Sequence, residues 1–418
     1  MYSRVLATIK KFLFGNLLSN MILLLMSVIF SRKYGVHGRG VYALIVTIPA
    51  IITVLFSFGL NNSIIYHLKK KQISVTTALH YLFFLTFWLV SLVWLLRLLA
   101  KISGAAFVLN DFLALGSITH PFLWTSVILL TMAAPLKLFL ISYFQSIRDI
   151  KMLLIAITVL PFCQLLLLSF WPGSDQPGFL LYMLCYAGVE CTLILCLTIY
   201  LYYVSVGTMH QKTASLFDVV SYSLKGYIGS INGTINSGID VLLIEKFAGT
   251  SELGLYSNAK SIVRMFQVLS NSVANALLGY YLELDRTSLK IFHKKVSLSL
   301  AVGYFILFTV AYLLSEYIVY YLYGAPFLES LNYLPYLLFA AYLVTSSTPD
   351  SYVFSSCNKP HITSIIASAG FIVAFGVGII AGKSYGVIGI LIALCSSSVV
   401  TYSLRKFFVS KLFRGRCD

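Results

Sequence analysis

Two stretches of this 418-residue chain set polar side chains at a regular spacing inside apolar surroundings. In the first, Ser221, Lys225, Gly229, Asn232, Asn236 and Asp240 succeed one another at intervals of 4, 4, 3, 4 and 4 residues. In the second, Tyr256, Lys260, Arg264, Gln267, Asn271 and Asn275 repeat those intervals. Steps of three and four trace a single helical face, so each stretch predicts a helix with one polar stripe. The chemistry on offer is non-covalent. Arginine presents a planar fork and lysine a point charge, the amides donate and accept hydrogen bonds, and no catalytic residue is expected. Asn16 and Asn20, with Ser27 and Ser31, form a weaker stripe near the start of the chain.

The surroundings of these stripes are membrane. Hydrophobic residues make up 59% of the chain and charged residues 11%, with a mean hydropathy of +0.88. A soluble domain carries about 25% charge, so a soluble enzyme, a disordered chain and a secreted disulfide scaffold are excluded. The net charge of +16 is too dilute to form a nucleic-acid-binding face. A spanning helix needs about 20 apolar residues. The chain divides into about twelve such runs, near 12–30, 41–60, 76–99, 121–145, 152–171, 179–204, 219–244, 253–281, 296–321, 330–356, 362–381 and 386–404. Runs such as Leu181 to Val204 are apolar on every face and lack the alternation of barrel strands. The expected fold is all-α and polytopic.

Lysine and arginine orient it. With both termini cytoplasmic, 19 of the 30 basic residues fall in inside segments, 6 in outside loops and 5 within spans, the bias of a chain inserted that way round. The basic N-terminus ahead of a long apolar run reads as a signal anchor. The segment 282–295 is expected to lie as an amphipathic helix on the inner surface.

A charge at the bilayer centre costs roughly 2.5–3.5 kcal/mol on insertion scales and therefore faces a cavity or a partner. Arg264 lies about eleven residues from the outer end of its span, roughly 16 Å at the helical rise. Arg264, Lys260 and Lys225 are read as cavity-lining cations. The alternative is structural: the asparagines knit helices together and Asp240 pairs with Lys260. Glu190, well inside its span, is protonated, paired or cavity-facing, and with Asp240 it is a candidate ion-coupling site. Lys137 has only Gln145 as a polar neighbour at helical spacing and is read as snorkelling as readily as lining a pore; Arg97, near an outer end, is expected to snorkel. Glu316 and Asp350 stand closer to span ends, where solvent reaches. Pro49, Pro135, Pro161 and Pro335 are expected to interrupt spans. The seven cysteines form no CxxC and the seven histidines are scattered, so neither a disulfide nor a metal site is expected.

The chain repeats itself at half length. Arg32-Lys33-Tyr34-Gly35, with Gly40-Val41-Tyr42 then opening a span, is echoed by Glu245-Lys246-Phe247-Ala248-Gly249 and then Gly254-Leu255-Tyr256. Repeated halves that rock about a central site are common in transporters. The division expected is an N-terminal six-helix lobe over 1–204, a linker over 205–217 and a C-terminal six-helix lobe over 218–418, around a central cavity.

The stretch Ser31 to Leu44 (SRKYGVHGRGVYAL) and Phe58-Gly59-Leu60-Asn61-Asn62-Ser63-Ile64 resemble the loop and second helix of bacterial polysaccharide (O-antigen) flippases of the Wzx type. Gly238-Ile239-Asp240-Val241-Leu242-Leu243-Ile244 and Leu253-Gly254-Leu255-Tyr256-Ser257-Asn258-Ala259 are similar to that family's seventh and eighth helices, and Tyr385-Gly386-Val387-Ile388-Gly389 to its last hairpin. The resemblance, to a family within the multidrug/oligosaccharidyl-lipid/polysaccharide exporter superfamily, spans essentially the whole chain. It implies two six-helix lobes around a cationic cavity that carries undecaprenyl-pyrophosphate-linked sugar units from the cytoplasmic to the periplasmic leaflet of the inner membrane. Arg264, Lys260 and Lys225 would then hold the pyrophosphate. Asn232, Asn236, Gln267, Asn271, Asn275, Asn16 and Asn20 would line the polar cavity, and Asp240 and Glu190 would couple transport to a proton or sodium gradient. A polysaccharide polymerase and a chain-length regulator are the expected partners, with no resident cofactor and no metal. The rival readings are a multidrug or organic-ion exporter of the same superfamily and a membrane glycan polymerase or transferase. The first would want acidic residues in its cavity, and the second a large outside loop or a catalytic cluster.

Overall fold

Leucine, isoleucine and phenylalanine runs fold into long helices here, and glycine marks several of the places where those helices break. The computed structural model describes residues 2–70, 72–102, 120–147, 149–173, 175–205, 215–283, 286–357, 359 and 361–414. In chain order they form α1 (Tyr2–Phe56), α2 (Leu60–Lys69), α3 (Val75–Ile102), α4 (Pro121–Ile147), α5 (Ile150–Phe170), α6 (Gln176–Ser205), α7 (Leu216–Ala248), α8 (Thr250–Glu283) and α9 (Arg286–Leu313). After these come α10 (Ser315–Ile318), a π-helical turn (Val319–Tyr323), a 3-10 stretch (Ala325–Asn332), α11 (Leu334–Ser346), α12 (Thr348–Ser356) and α13 (His361–Arg414). No strand occurs among the described residues.

Two of these helices are each a pair of spans. Gly35 (φ 67°, ψ −167°) breaks α1, and Gly386 (φ 57°, ψ −132°) breaks α13. Positive φ of this kind is cheap only for glycine. The stretches 325–332 and 334–354, bent by 55° at the break between them, are together long and apolar enough for one further crossing. With those breaks counted, the described residues contain twelve helices of spanning length, and the chain is an all-α, multi-pass membrane protein. α7 and α8, of 33 and 34 residues, are long enough to cross but fall outside the strongly apolar set, because the polar stripes run along them. Large apolar side chains stand exposed along the others, among them Phe84, Phe87, Trp88, Phe305, Ile306 and Ile380. So much outward apolar surface suits lipid rather than water.

Two sequence expectations change. Residues 286–295 are the first turns of α9 rather than a separate surface helix, and 282–283 still belong to α8. Their amphipathic pattern is real, since Leu289 and His293 are buried while Lys290 and Lys294 are exposed, but it serves to pack the start of a span. Pro49, Pro135 and Pro161 do lie inside helices. Pro335 instead occupies the first turn of α11, just after the bend, where the missing N–H has no helical partner to lose.

The chain forms two compact units. One comprises Met1–Tyr34 and Val41–Thr234, the other Gly35–Gly40 and Ile235–Asp418. The boundary between these units falls inside α7, and residues 206–214 of the expected linker lie outside the described residues. α7 is long enough to serve both. Its first half packs on the α1–α2 corner, where Ser63 Oγ donates to the Val219 carbonyl at 2.6 Å and Tyr66 stacks on Tyr222 with ring centroids 4.1 Å apart. Its second half packs on α13, where Gly378 and Gly382 lie under Leu243 and Phe247. In the first unit α4 is the central helix, meeting α2, α3, α5 and α6; in the second, α11 and α12 meet α8, α9 and α13. The fourth span of each half thus holds the same place, as a duplicated architecture requires.

Candidate functional site

The polar stripe of α8 is positioned by the turn that precedes it. Gly249 (φ 87°) carries the chain from α7 into α8. A Cβ on Gly254 would overlap the carbonyl oxygen of Val36, and a Cβ on Gly40 would overlap the carbonyl oxygen of Thr250. Shifting by the 214 residues that separate Gly35 from Gly249 turns each contact into the other. The two turns therefore make equivalent contacts with each other. Arg39, 5% exposed, adds a bond from Nη2 to Ser261 Oγ at 2.6 Å. The start of α8 is therefore held from Thr250 to Ser261, the stretch that carries the stripe's first charge, Lys260.

Asp240 then meets α8 from the neighbouring helix. Asp240 is 2% exposed, and one carboxylate oxygen, Oδ2, accepts from both Tyr256 Oη and Lys260 Nζ. The Val241 N–H donates to the other oxygen at 2.9 Å. Lys260 also lies 5.6 Å from the centroid of the Tyr256 ring, a cation–π distance. Tyr256, Lys260 and Arg264 stand at i, i+4 and i+8 along α8. Arg264 is exposed and, among the described residues, has no ion pair or hydrogen bond. The structural alternative read from the sequence is thus realised for Lys260, which is held by Asp240, while Arg264 stays available. Gln267, about one turn further on, is half-buried.

The remaining stripe residues are placed only by backbone. Lys225, Asn232 and Asn236 lie in α7, Asn271 and Asn275 in α8, and Asn16 in α1; their side chains fall outside the described residues. Asn20 is half-buried in the first span, beside Ser19, whose Oγ donates to the Ile157 carbonyl at 2.8 Å.

Glu190 belongs to the first unit and is paired. Lys137 Nζ lies 2.6 Å from its Oε1, and Gln164 Nε2 donates to Oε2 at 3.1 Å, so α4, α5 and α6 meet through one carboxylate. Lys137, read from the sequence as snorkelling or lining a pore alike, has its polar partner on another helix rather than on its own. Asp350 is corrected. It is fully buried, not solvated, with His293 Nε2 and Lys406 Nζ each 3.1 Å from its carboxylate. Tyr281 Oη joins His293 Nδ1 at 3.0 Å, and Arg405 Nη1 donates to Ser347 Oγ at 3.0 Å. Its charged and hydrogen-bonded members come from α8, α9, α12 and α13, so no spacing within one helix announces it. Sequence reasoning also passed over Asn258, one turn beyond Gly254. It is fully buried, and neither side-chain polar atom finds a hydrogen bond among the described residues; unsatisfied amides of this kind are rare in protein interiors.

Taken together, the in-span carboxylates Asp240, Glu190 and Asp350 each hold a lysine, and Arg264 stands as exposed cationic charge. Solved structures share this fold. The lipid II flippase MurJ, in an inward closed conformation, aligns over 96% of this chain and 87% of its own with a TM-score of 0.74 at 15% identity. The MATE multidrug transporter DinF-BH aligns over 98% and 96% with a TM-score of 0.62 at 12% identity. An inward-facing multidrug resistance MATE family transporter of the MOP superfamily aligns over 95% and 96% with a TM-score of 0.59 at 13% identity. No curated protein matches the sequence significantly. Residues 9–280, about two thirds of the chain, match the polysaccharide biosynthesis protein family, and the chain belongs to that family.

Proposed function

We propose that this protein is a flippase that carries a polyprenyl-pyrophosphate-linked sugar unit from the cytoplasmic to the outer leaflet of the bacterial inner membrane by alternating access. Membership of a polysaccharide biosynthesis family and a flippase-like fold support the reading. The observation that carries it is Arg264, an exposed guanidinium near the middle of a 34-residue helix, without an ion pair among the described residues. A guanidinium held in a low-dielectric setting binds phosphate oxygens in a bidentate fork. Lys260 and Lys225 lie along the same two stripes, and the asparagines and Gln267 offer hydrogen bonds to sugar hydroxyls. Undecaprenyl pyrophosphate is the lipid carrier, O-antigen or another surface polysaccharide the destination, and a polysaccharide polymerase and chain-length regulator the partners. Both termini face the cytoplasm, and a cation gradient drives the cycle.

The exporter reading asks for carboxylates free to meet an organic cation. Asp240, Glu190 and Asp350 are each engaged by a lysine, which disfavours it. The test is the lipid-linked sugar itself. In cells carrying Arg264→Ala as the only copy, lipid-linked oligosaccharide accumulates on the inner leaflet and surface glycan falls by about tenfold or more, the loss of one good charged contact; Arg264→Lys retains part of the activity. Normal glycan display by Arg264→Ala, with the protein present in the membrane at wild-type level, would sink the proposal.

A further inference from the structure

Where α2 ends and α7 begins, the cytoplasmic side in the proposed orientation, two stacked tyrosines stand beside a lysine. α7 starts on a capping box. The Ser215 N–H and Oγ each donate to Asp218 Oδ2 at 2.8 Å, and the Asp218 N–H donates back to Ser215 Oγ at 3.3 Å. This fixes the helix start and sets Tyr222 about one turn beyond Asp218. The last turn of α2 brings Tyr66 onto it. The two rings are 13° from parallel with centroids 4.1 Å apart, and His67, tied through Nδ1 to Gln72 Oε1 at 2.7 Å, meets them at 87° and 75°. All these residues belong to the first unit. With Tyr66 over one face, Tyr222 is still 39% exposed, so its open surface is the other face and the edge. Lys70 caps α2 and is exposed, with Nζ 4.7 Å from the Tyr66 ring centroid. The Tyr66 hydroxyl, and after it that of Tyr222, holds the Lys70 pKa above the ordinary lysine value, so the ammonium stands at the hydroxyl edge of the stack. Lys69 and Lys71 flank it in sequence, and their side chains lie outside the described residues.

We propose that Lys70 and the open face of Tyr222 form a loading site for the lipid-linked substrate at the inner membrane surface, with phosphate on the ammonium and the first sugar ring on the tyrosine. The inference rests on the flippase reading and adds to it where the head group docks before it crosses. Depth favours the site. Ser215 and Asp218 are polar and exposed, whereas Phe217 and Leu224 on the same helix are apolar and exposed, so Tyr222 stands where lipid gives way to water. A lipid-anchored head lies at that level. Tyrosine also anchors helices there, but an anchor needs neither a second ring stacked behind it nor a cation at its edge. A sugar ring turns C–H groups outward from its faces, and these suit the negative face of an aromatic ring. Tyr66 holds the Tyr222 ring in one orientation. In a glycosyl pyrophosphate the sugar and the nearer phosphorus share one oxygen, so a cation and a ring face set side by side match both groups. Asp218 is engaged by Ser215 in the capping box. Lys225, three residues after Tyr222, is the next cation along α7, and its side chain lies outside the described residues.

The test uses the full-length protein in lipid nanodiscs, made with and without phosphatidylglycerol, and two synthetic probes. One is a short-chain polyprenyl-pyrophosphoryl-N-acetylglucosamine. The other carries an ethyl group in place of the sugar and is a diester of equal charge. The wild type is expected to bind the sugar probe about threefold to tenfold more tightly than the ethyl probe, the scale of one aromatic contact. Tyr222→Leu is expected to lose that preference with its affinity for the ethyl probe unchanged, and Tyr222→Phe, which keeps the ring face, to retain it. Lys70→Glu is expected to weaken both probes alike, by about threefold to tenfold at low salt and less at high salt. Both side chains are exposed, so these variants fold. A sugar preference that survives in Tyr222→Leu, or is lost in Tyr222→Phe, overturns the proposal. So does an effect of Lys70→Glu confined to nanodiscs containing phosphatidylglycerol, because the cation then serves the bilayer's own headgroups. If the wild type binds neither probe, or Arg264→Ala binds the sugar probe as tightly as the wild type, the flippase reading fails; if Arg264→Ala weakens binding while Tyr222→Leu keeps the preference, only the loading site fails.

Discussion

Lys137 and Glu190 are 53 positions apart in the chain and 2.6 Å apart in the structure. A buried carboxylate stripped of its cation costs more than the pair contributes, because the desolvated charge remains behind. Lys137→Met is expected to destabilise the protein by about 1–3 kcal/mol, below the 3–5 kcal/mol of a fully buried pair because the Lys137 side chain is 36% exposed. Lys137→Met/Glu190→Gln should recover most of that loss, since the glutamine still meets Gln164. Thermal unfolding of the purified variants reads the cycle, and additive losses would show that the two side chains are uncoupled. Asp240 and Lys260 differ in this respect. Their pairing is readable from the sequence as an alternative, because both lie on adjacent stripes whose periodicity sets their helical faces. Glu190, Asp350 and Lys137 give no such sign, since their partners sit on helices that periodicity cannot bring together.

At the scale of helices, the reciprocal glycine contacts tie one turn to the other. Gly40 and Gly254 each face a backbone carbonyl, an atom that cannot swing away as a side-chain end does. Gly40→Val and Gly254→Val should therefore each cost at least about 1–3 kcal/mol by overpacking. Gly376→Ala, in open space on α13, should be neutral or stabilising by about 0.5–1 kcal/mol through helix propensity. Thermal unfolding distinguishes them, and equal effects at all three positions would remove the close approach as the reason for glycine. The repeat makes Gly35 and Gly249 visible as matched positions in the sequence. That Gly40 and Gly254 answer to each other's turns is a tertiary fact, which equal spacing alone cannot supply.

For the molecule as a whole, basic residues set the direction of insertion. On a cysteine-free background, Asn110→Cys should react with a membrane-impermeant thiol reagent in intact spheroplasts, and Lys290→Cys only after the membrane is opened. The reverse pattern would invert the topology on which the leaflet assignment depends. The boundary between the compact units belongs to this scale as well. The contacts divide the chain inside α7, a helix of 33 residues that gives one half to each unit. Composition carries no information about which neighbour a given turn will meet.

By itself, the sequence determined the features that local chemistry dictates: helix rather than strand, membrane rather than water, about twelve spans, and two polar stripes on consecutive helices. Those features depend on spacing and transfer free energy, which act over a few turns of chain. Only the tertiary structure decided which charges neutralise each other. It gave Glu190 to Lys137, buried Asp350 with His293 and Lys406, tied Lys260 to Asp240 and left Arg264 exposed. A buried charge is settled by whatever partner lies within a few ångströms, and that partner is chosen by helix packing between residues tens of positions apart.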